Sequence, residues 1–229
     1  MDQPKRAVLI MEEDALVPAY SKPLMLETVL FCPILTWMGN RLRDDGVQRF
    51  FVVCGPRFAE EARACFAEEA DVTVSERQED LAAFLNTPDA VSVLLRPALP
   101  MEEAGPGFAY AAPGYELQEA WKNGLTNKVD AAELLCGWVP VFSLETVAEL
   151  EMVLRDRIVK RHIQNGVRGM DPSAVYIDPR VSIGRGTVVL PGSILRGETA
   201  VGRDCVIGPN AVVRECAVGD ETEINASQV

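Results

Sequence analysis

The stretch that decides the fold is 177-IDPRVSIGRGTVVLPGSILRGETAVGRDCVIGPNAVVRECAVGDETEINASQV-229. Divided into sixes, it places an aliphatic residue first in every unit, with one shorter unit, VRECA, beginning at Val213. These first-place residues are Ile177, Ile183, Val189, Leu195, Val201, Ile207, Val213, Val218 and Ile224. A sustained period of six residues is typical of a parallel β-helix, in which short strands wind around a prism.

Other places in the six-residue units support this prediction. The fifth place usually holds a small or β-branched residue: Val181, Thr187, Ser193, Thr199, Cys205, Ala211, Ala217 and Thr222. The second place is glycine at Gly184, Gly202, Gly208 and Gly219, which we expect at corners because glycine tolerates positive φ. Three units make one turn, so 177–229 predicts about three coils. The alternative, a chance run of strands in an ordinary sandwich, accounts poorly for a phase kept with one deletion.

Composition narrows the classes of partner. The net charge is −12, with 34 acidic and 22 basic residues, which disfavours binding to nucleic acid or to anionic membranes. No stretch is long enough to cross a bilayer, and the apolar run at 7–11 is too short for a secretory signal. The six cysteines show no CxxC pair and no metal-ligand spacing. We therefore expect reduced thiols and a cytoplasmic location.

The first 142 residues alternate between strand and helix patterns. Apolar runs predict strands at 7–11, 50–54, 72–74, 91–95 and 138–142. Helical spacing predicts helices at 24–43 (interrupted at Pro33), 57–70, 78–85, 115–121 and 129–136. The proline-rich segment 96–114 is predicted to be a loop. This alternation is typical of an α/β fold with a parallel sheet covered by helices.

A long helix follows the predicted sheet. Ser143 is placed to cap it, Glu145 stands in its first turn, and Gly166 ends it. Its C-terminal half is basic, which favours a solvated or intersubunit face over a phosphate site. The sequence thus divides into an α/β domain at 1–142, a connecting helix and junction at 143–176, and a β-helix at 177–229.

One segment resembles a known family. The run LEMVLRDRIVKRHIQNGVRGMDPSAVYIDPRVSIG and its continuation to Val229 resemble the bifunctional N-acetylglucosamine-1-phosphate uridyltransferase/glucosamine-1-phosphate acetyltransferase (GlmU) family, with its GV..MDP junction at Gly166, Val167, Asp171 and Pro172. The resemblance implies a Rossmann-like nucleotidyltransferase domain, a connecting helix and a left-handed β-helix that forms trimers. It also implies a role in the metabolism of UDP-N-acetylglucosamine, a peptidoglycan precursor.

The N-terminal part resembles the family in outline only. YSKPLMLETVL at 20–30 looks like the family's GKPML..VL element, which makes Lys22 the one candidate catalytic residue if the protein is active. The family's glycine-rich LAAGxGTRM loop is replaced by MEEDALVPAY, in which Glu12, Glu13 and Asp14 would repel a triphosphate. The family's Mg²⁺-binding asparagine falls at Phe142, which cannot ligate a metal that requires oxygen. We assign no metal or substrate residues and no cofactor, with Mg²⁺ required only if the protein is active.

The second activity of the family uses a histidine base in later coils. The only histidine here is His162 on the predicted connecting helix, and we interpret it as a packing or surface residue. Since this sequence does not include those coils, we expect no acetyl transfer.

Two functions remain open. The first is a GlmU-like scaffold or regulatory protein with impaired or absent catalysis that assembles into a homotrimer through its β-helix. The second is an active, divergent transferase that makes UDP-N-acetylglucosamine and pyrophosphate from UTP and N-acetylglucosamine-1-phosphate.

Overall fold

A computed structural model describes residues 5–11, 22–101, 104–105, 109–122 and 133–226. The chain forms two compact units: Met1–Glu27 with Pro33–Thr146, and Thr28–Cys32 with Val147–Val229. The second unit therefore includes a short segment from the N-terminal part of the sequence. The domain boundaries at 142 and 176 stay a prediction, and the acidic segment at 12–14 lies outside the described residues.

The elements up to the β-helix are as follows. The strands are β1 (Arg6–Ile10), β2 (Thr28–Val29), β3 (Cys32–Pro33), β4 (Arg49–Val53), β5 (Asp71–Ser75), β6 (Ala90–Leu94), β7 (Ala98–Pro100), β8 (Ala109–Pro113), β9 (Glu133–Leu134) and β10 (Trp138–Pro140). The helices are α1 (Ile34–Asp44), α2 (Ala59–Ala64), α3 (Gln78–Leu85), α4 (Gly114–Lys122) and α5 (Leu144–Gln164).

The first unit is built on a mixed sheet in the order β5-β4-β1-β6-β8-β9. The four strands β5, β4, β1 and β6 are parallel, and β8 and β9 pair antiparallel. The parallel part agrees with the predicted α/β sheet. Whether this unit is a Rossmann-like nucleotidyltransferase domain stays a prediction.

Successive side chains of β4, which lies between β5 and β1, enter different cores. The ring of Phe50 lies 5.2 Å from that of Phe66, whereas the ring of Phe51 lies 5.4 Å from that of Phe84 on α3. Because successive strand residues point to opposite faces, the sheet has a packed layer on each side. The cores join apolar side chains of predicted strands, such as Phe50 and Phe51, to side chains of the predicted helices 57–70 and 78–85.

Two of the predicted elements of this unit are wrong. The predicted loop 96–114 contains β7 and β8, and the predicted helix at 129–136 contains β9 at its described end. The small side chains of Ala109, Ala111 and Ala112 are buried where β8 pairs with β6. Alanine and proline predict a strand poorly, but this position beside a buried strand favours small side chains, so packing overrides propensity.

The predicted helix at 24–43 forms only after Pro33. Before it, residues 24–26 make one 3-10 turn and β2 and β3 form a hairpin. Proline fixes its own φ and disfavours a helical residue before it, which explains why α1 begins at Ile34. The turn residues Leu30 (φ 45°) and Phe31 (φ 71°) both have positive φ, as a tight two-residue hairpin turn requires.

The second unit contains the predicted β-helix. Its strands are β11 (Arg168–Gly169), β12 (Tyr176–Ile177), β13 (Ser182–Ile183), β14 (Val188–Val189), β15 (Ile194–Arg196), β16 (Ala200–Val201), β17 (Val206–Ile207), β18 (Val212–Arg214), β19 (Ala217–Val218) and β20 (Glu223–Ile224). They form three parallel ladders, β11-β14-β17-β20, β12-β15-β18 and β13-β16-β19. Three ladders visited in turn are consistent with the predicted left-handed β-helix. The ladders begin at Arg168, before the first predicted six-residue unit at Ile177.

The interior of the β-helix follows the six-residue period. Seven of the nine first-place residues are buried, and Ile183 and Val218 are half-buried. Ile194 pairs with Val212, eighteen positions later, whereas Ala200 pairs with Ala217, seventeen positions later, so the corner at Glu215 absorbs the short unit. The deletion also shifts the inward position. Ala217, which holds the fifth place of the short unit, is exposed, and the preceding Cys216 is half-buried.

The structure gives a reason for the second-place glycine at Gly184 that differs from the prediction. Gly208 has φ 102°, but Gly184, Gly202 and Gly219 do not have positive φ. A Cβ on Gly184 would lie 2.5 Å from the backbone carbonyl of Gly202 in the next coil. Close approach between coils, and not backbone conformation, therefore excludes a side chain at Gly184.

Candidate functional site

The carboxyl edge of the parallel strands is the candidate site of the first unit. The chain passes from β1 to β4 and β5 on one side, and then returns to β6 on the other side of β1. Ligands of open α/β sheets bind outside the carboxyl ends of the strands at such a reversal of strand order. Residues that follow β1, β4, β5 and β6 are therefore the ones to inspect.

Arg96 and Phe142 meet at the end of β6. The backbone N–H of Val141 donates to the carbonyl of Pro97 over 2.8 Å, which holds the segment after β10 beside the segment after β6. The guanidinium carbon of Arg96 lies 5.7 Å from the centre of the Phe142 ring, a cation–π contact. Phe142 is 64% exposed. The position that the resemblance assigns to a metal ligand therefore presents a hydrocarbon ring to solvent.

Arginines also follow the two neighbouring strands. Arg57 comes shortly after β4 and stacks on the ring of Phe58, with 4.9 Å from its guanidinium carbon to the ring centre. Arg77 follows β5 and lies 3.5 Å from Glu79 and 3.8 Å from Asp80. All three arginines are exposed at this edge. Exposed guanidinium groups can form paired hydrogen bonds with phosphate or carboxylate groups.

Lys22, the candidate catalytic residue, is ion-paired. Its Nζ lies 2.9 Å from Oε1 of Glu61 on α2, and both side chains are partly exposed. The pair lies near the buried thiol of Cys65. Burial raises the pKa of Cys65, and the charge of Glu61 raises this pKa further. The hydrogen bond from Thr36 and the charge of Lys22 act in the opposite direction and lower it. A buried thiol of raised pKa is mostly protonated near neutral pH, which disfavours Cys65 as a nucleophile.

The described residues offer no ready metal centre. Within the described ranges, no group of three or more His, Cys, Asp or Glu residues could hold a metal ion. The donors that Mg²⁺ prefers are oxygen atoms, and Phe142 supplies none. The described residues therefore do not fit Mg²⁺ at the place where the resemblance expects it.

His162 lies in the second unit, on α5. It is only 6% exposed, and its Nε2 has no hydrogen-bond partner among the described atoms. Burial, and to a smaller extent the charge of Arg161, lowers the pKa of His162 to about 4. This geometry agrees with the interpretation of His162 as a packing residue.

A buried carboxylate stands in the first coil of the second unit. Asp178 is fully buried and accepts hydrogen bonds from Nε and Nη2 of Arg180, over 3.0 and 2.7 Å, and from the amide of Gly197 over 3.0 Å. The thiol of Cys32 also donates to it, over 3.6 Å. Burial alone would raise the pKa of Asp178, but the bonds from Arg180 and Gly197 outweigh it and hold the pKa below its ordinary value. Sequence patterns did not reveal this cluster because two of its members, Cys32 and Gly197, are distant from Asp178 in the chain.

The β2–β3 hairpin is fixed at a second point. The backbone amide of Leu30 donates to Oε1 of Glu151 on α5 over 2.9 Å, and Leu30 is buried. Cys32 and Leu30 thus attach residues 28–32 to the β-helix unit.

Known proteins resemble the second unit. A model of the bacterial transferase hexapeptide family (six repeats) matches residues 180–215. The bifunctional protein GlmU of Alkaliphilus oremlandii is 43% identical over 89 residues, which are 39% of this chain and 20% of that protein. Those of Caldanaerobacter subterraneus and Rubrobacter xylanophilus are 48% identical over 69 residues and 49% identical over 61 residues. These two alignments cover 30% and 27% of this chain and 15% and 13% of the relatives.

These similarities define the class of the C-terminal segment. They confirm the predicted hexapeptide repeats and a GlmU-like sequence over about a third of the chain. The chain spans about a fifth of the length of the curated relatives that it matches. In the described part of the chain, no helix combines the length and the apolar character needed to span a bilayer.

Proposed function

We propose that the protein is a GlmU-like oligomeric scaffold or regulatory protein of UDP-N-acetylglucosamine metabolism, with impaired or absent nucleotidyl transfer. The hexapeptide β-helix supplies the assembly module. The α/β unit keeps the outline of a nucleotidyltransferase without its phosphate-binding chemistry. A cytoplasmic location belongs to the same proposal.

The exposed ring of Phe142 carries this proposal. It stands at the carboxyl edge of the sheet, where a transferase of this kind would need an oxygen ligand for Mg²⁺. Phosphoryl transfer depends on positioning and on stabilisation of charge, and the metal is a large part of both. The ion pair between Lys22 and Glu61 is further support, because Lys22, the one candidate catalytic cation, is already bound to a carboxylate.

An assay of pyrophosphate release tests the proposal. With Mg²⁺, UTP and N-acetylglucosamine-1-phosphate, we expect no turnover above the rate without protein. Turnover within a few orders of magnitude of about 1–1,000 s⁻¹, the ordinary range for enzymes, would overturn it. Calorimetric titration with UTP is expected to show no binding.

One observation favours the second candidate, an active and divergent transferase. Arg57, Arg77 and Arg96 follow three of the four parallel strands at the edge where phosphates bind in such sheets. These arginine side chains could stabilise the charge of a nucleotide in place of the residues that the family uses.

The two candidates differ in the effect of Arg96. If the protein is an active transferase, Arg96→Ala weakens UTP binding and lowers turnover by about tenfold or more, as loss of a charged hydrogen bond does. If it is a scaffold, Arg96→Ala changes neither quantity. Arg43→Ala, on the exposed end of α1, is the matched control for loss of a positive charge.

A further inference from the structure

A cleft lies between the helices α3 and α4 of the first unit. Gly114, at the start of α4, meets the end of α3 so closely that a Cβ there would collide with the carbonyl of Leu85. Further along, Nε2 of Gln118 donates to the carbonyl of Ala82 over 2.8 Å. These two contacts run in opposite order along the two helices, so the helices are antiparallel and their separation is fixed by the fold.

The floor of the cleft is apolar and aromatic. Leu81 and Leu85 of α3 line it and are buried, and the indole of Trp121 on α4 lies opposite them. A smaller niche beside the cleft shares Leu85 and Trp121 with it and reaches the ring of Tyr110 on β8. Aromatic rings form favourable edge and offset contacts with one another, so this floor suits an aromatic ring.

The rim of the cleft is polar and mixed in charge. It consists of two amides, one acid and one base: Gln78, Gln118, Glu79 and Lys122. The acid also lies 3.5 Å from Arg77. Amide side chains offer both donors and acceptors of hydrogen bonds. A ligand with a hydroxyl group suits this rim, whereas a ligand of either charge would meet a like charge on it.

The size of the cleft limits the ligand to a single ring. Its volume is about 230 Å³. A dry protein cavity of about 150 Å³ holds benzene, whereas pockets for drug-sized molecules measure about 300–1,000 Å³. One ring with a short polar substituent falls between these two sizes.

We propose that the α3–α4 cleft binds a small uncharged aromatic molecule, a phenol or an aromatic alcohol. The ring lies against Trp121, and the hydroxyl group faces the amides of the rim. The site goes beyond the proposed function and does not depend on it, since every lining residue belongs to the first unit and none to the β-helix.

Titration of the full chain with benzyl alcohol tests the site, with ligand-observed saturation-transfer NMR as the measurement. We expect saturable binding with half-saturation below about 10 mM, as suits a ligand of so few atoms. Benzoate and benzylamine present the same ring with a charge, and we expect each to bind at least about threefold more weakly, because its charge loses water at a rim of mixed sign. Tighter binding of either charged compound would overturn the assigned ligand class.

A pair of variants on one helix tests the position of the site. Ala82 is half-buried and lines the cleft, so Ala82→Phe fills it and is expected to weaken binding about tenfold or more. Ala83→Phe adds the same ring at the neighbouring exposed position and is expected to leave binding unchanged. Far-ultraviolet circular dichroism verifies that each variant is folded.

Hydrogen exchange of the wild type locates the ligand without any substitution. Benzyl alcohol near saturation is expected to slow exchange in α3 and α4, because binding stabilises the folded form of the elements it contacts. The site is overturned by a lack of saturable binding, by protection that leaves α3 and α4 unchanged, or by undiminished binding to a folded Ala82→Phe variant. None of these results bears on assembly or on nucleotidyl transfer.

Discussion

Among single residues, His162 links stability to pH. Its pKa is about 4 in the folded chain against 6.5 for an ordinary histidine, so folding favours the neutral imidazole. This contribution to stability is complete above pH 6.5 and is lost as the pH falls toward 4. We expect a loss on the order of 2 kcal/mol over this window.

Chemical denaturation of the wild type and of His162→Leu checks this expectation. The leucine variant cannot take up a proton there, so its free energy of unfolding should fall less between pH 6.5 and pH 4. Equal pH dependence in the two proteins would show that His162 is not the titrating group.

Asp178 gives a second prediction for a single residue. Asp178→Asn keeps the shape but removes the charge that Arg180 and the Gly197 amide stabilise. We expect the variant to lose about 1–3 kcal/mol of stability, the usual penalty for breaking a buried charged hydrogen bond. Thermal unfolding measures this loss, and Asp171→Asn, an exposed carboxylate before β12, is the control.

At the level of elements, two glycines of the β-helix, Gly184 and Gly219, allow a matched comparison of alanine variants. Gly184→Ala would bring a methyl group within 2.5 Å of the backbone of the next coil, whereas Gly219→Ala would meet only Oγ1 of Thr222 at 3.9 Å. Because backbone cannot rotate away, we expect Gly184→Ala to lose about 1–3 kcal/mol and Gly219→Ala to be nearly neutral. Thermal unfolding of the two variants decides this, and equal stability would contradict the close-approach explanation.

Elements with a strong local signal could be predicted from the sequence. Pro33 places the start of α1, and Ser143 caps α5, where its Oγ accepts from the Thr146 amide over 3.2 Å. The strand β8 and the close approach at Gly184 could not be predicted. They depend on β6 beside β8 and on the coil above Gly184, neighbours that are distant in sequence.

At the scale of the whole molecule, we expect the β2–β3 hairpin to stabilise the strands of the β-helix unit to which it is bound. Leu30→Asp would place a carboxylate in a buried position beside Glu151. An unpaired buried charge destabilises by about 3 kcal/mol or more. Hydrogen exchange should then show faster exchange in β12 and β15, although the substitution is far away in sequence. Thr28→Asp, at the exposed start of β2, should leave exchange in these strands unchanged.

The candidate site shows the same division between local and distant signals. Lys22 and Phe142 could be singled out through the family resemblance, and His162 because it is the only histidine. The contact of Arg96 with Phe142 could not, since it depends on the pairing of β7 with β10, which brings two distant segments together.

The attachment of Cys32 to Asp178 has a consequence for synthesis on the ribosome. The two residues are 146 positions apart, so the hairpin is made long before its partners. At about 5–20 residues per second, it waits roughly 7–30 s for them. During that interval Val29 and Leu30 are apolar side chains without their native cover, and a chaperone that binds nascent chains would find its target at this hairpin.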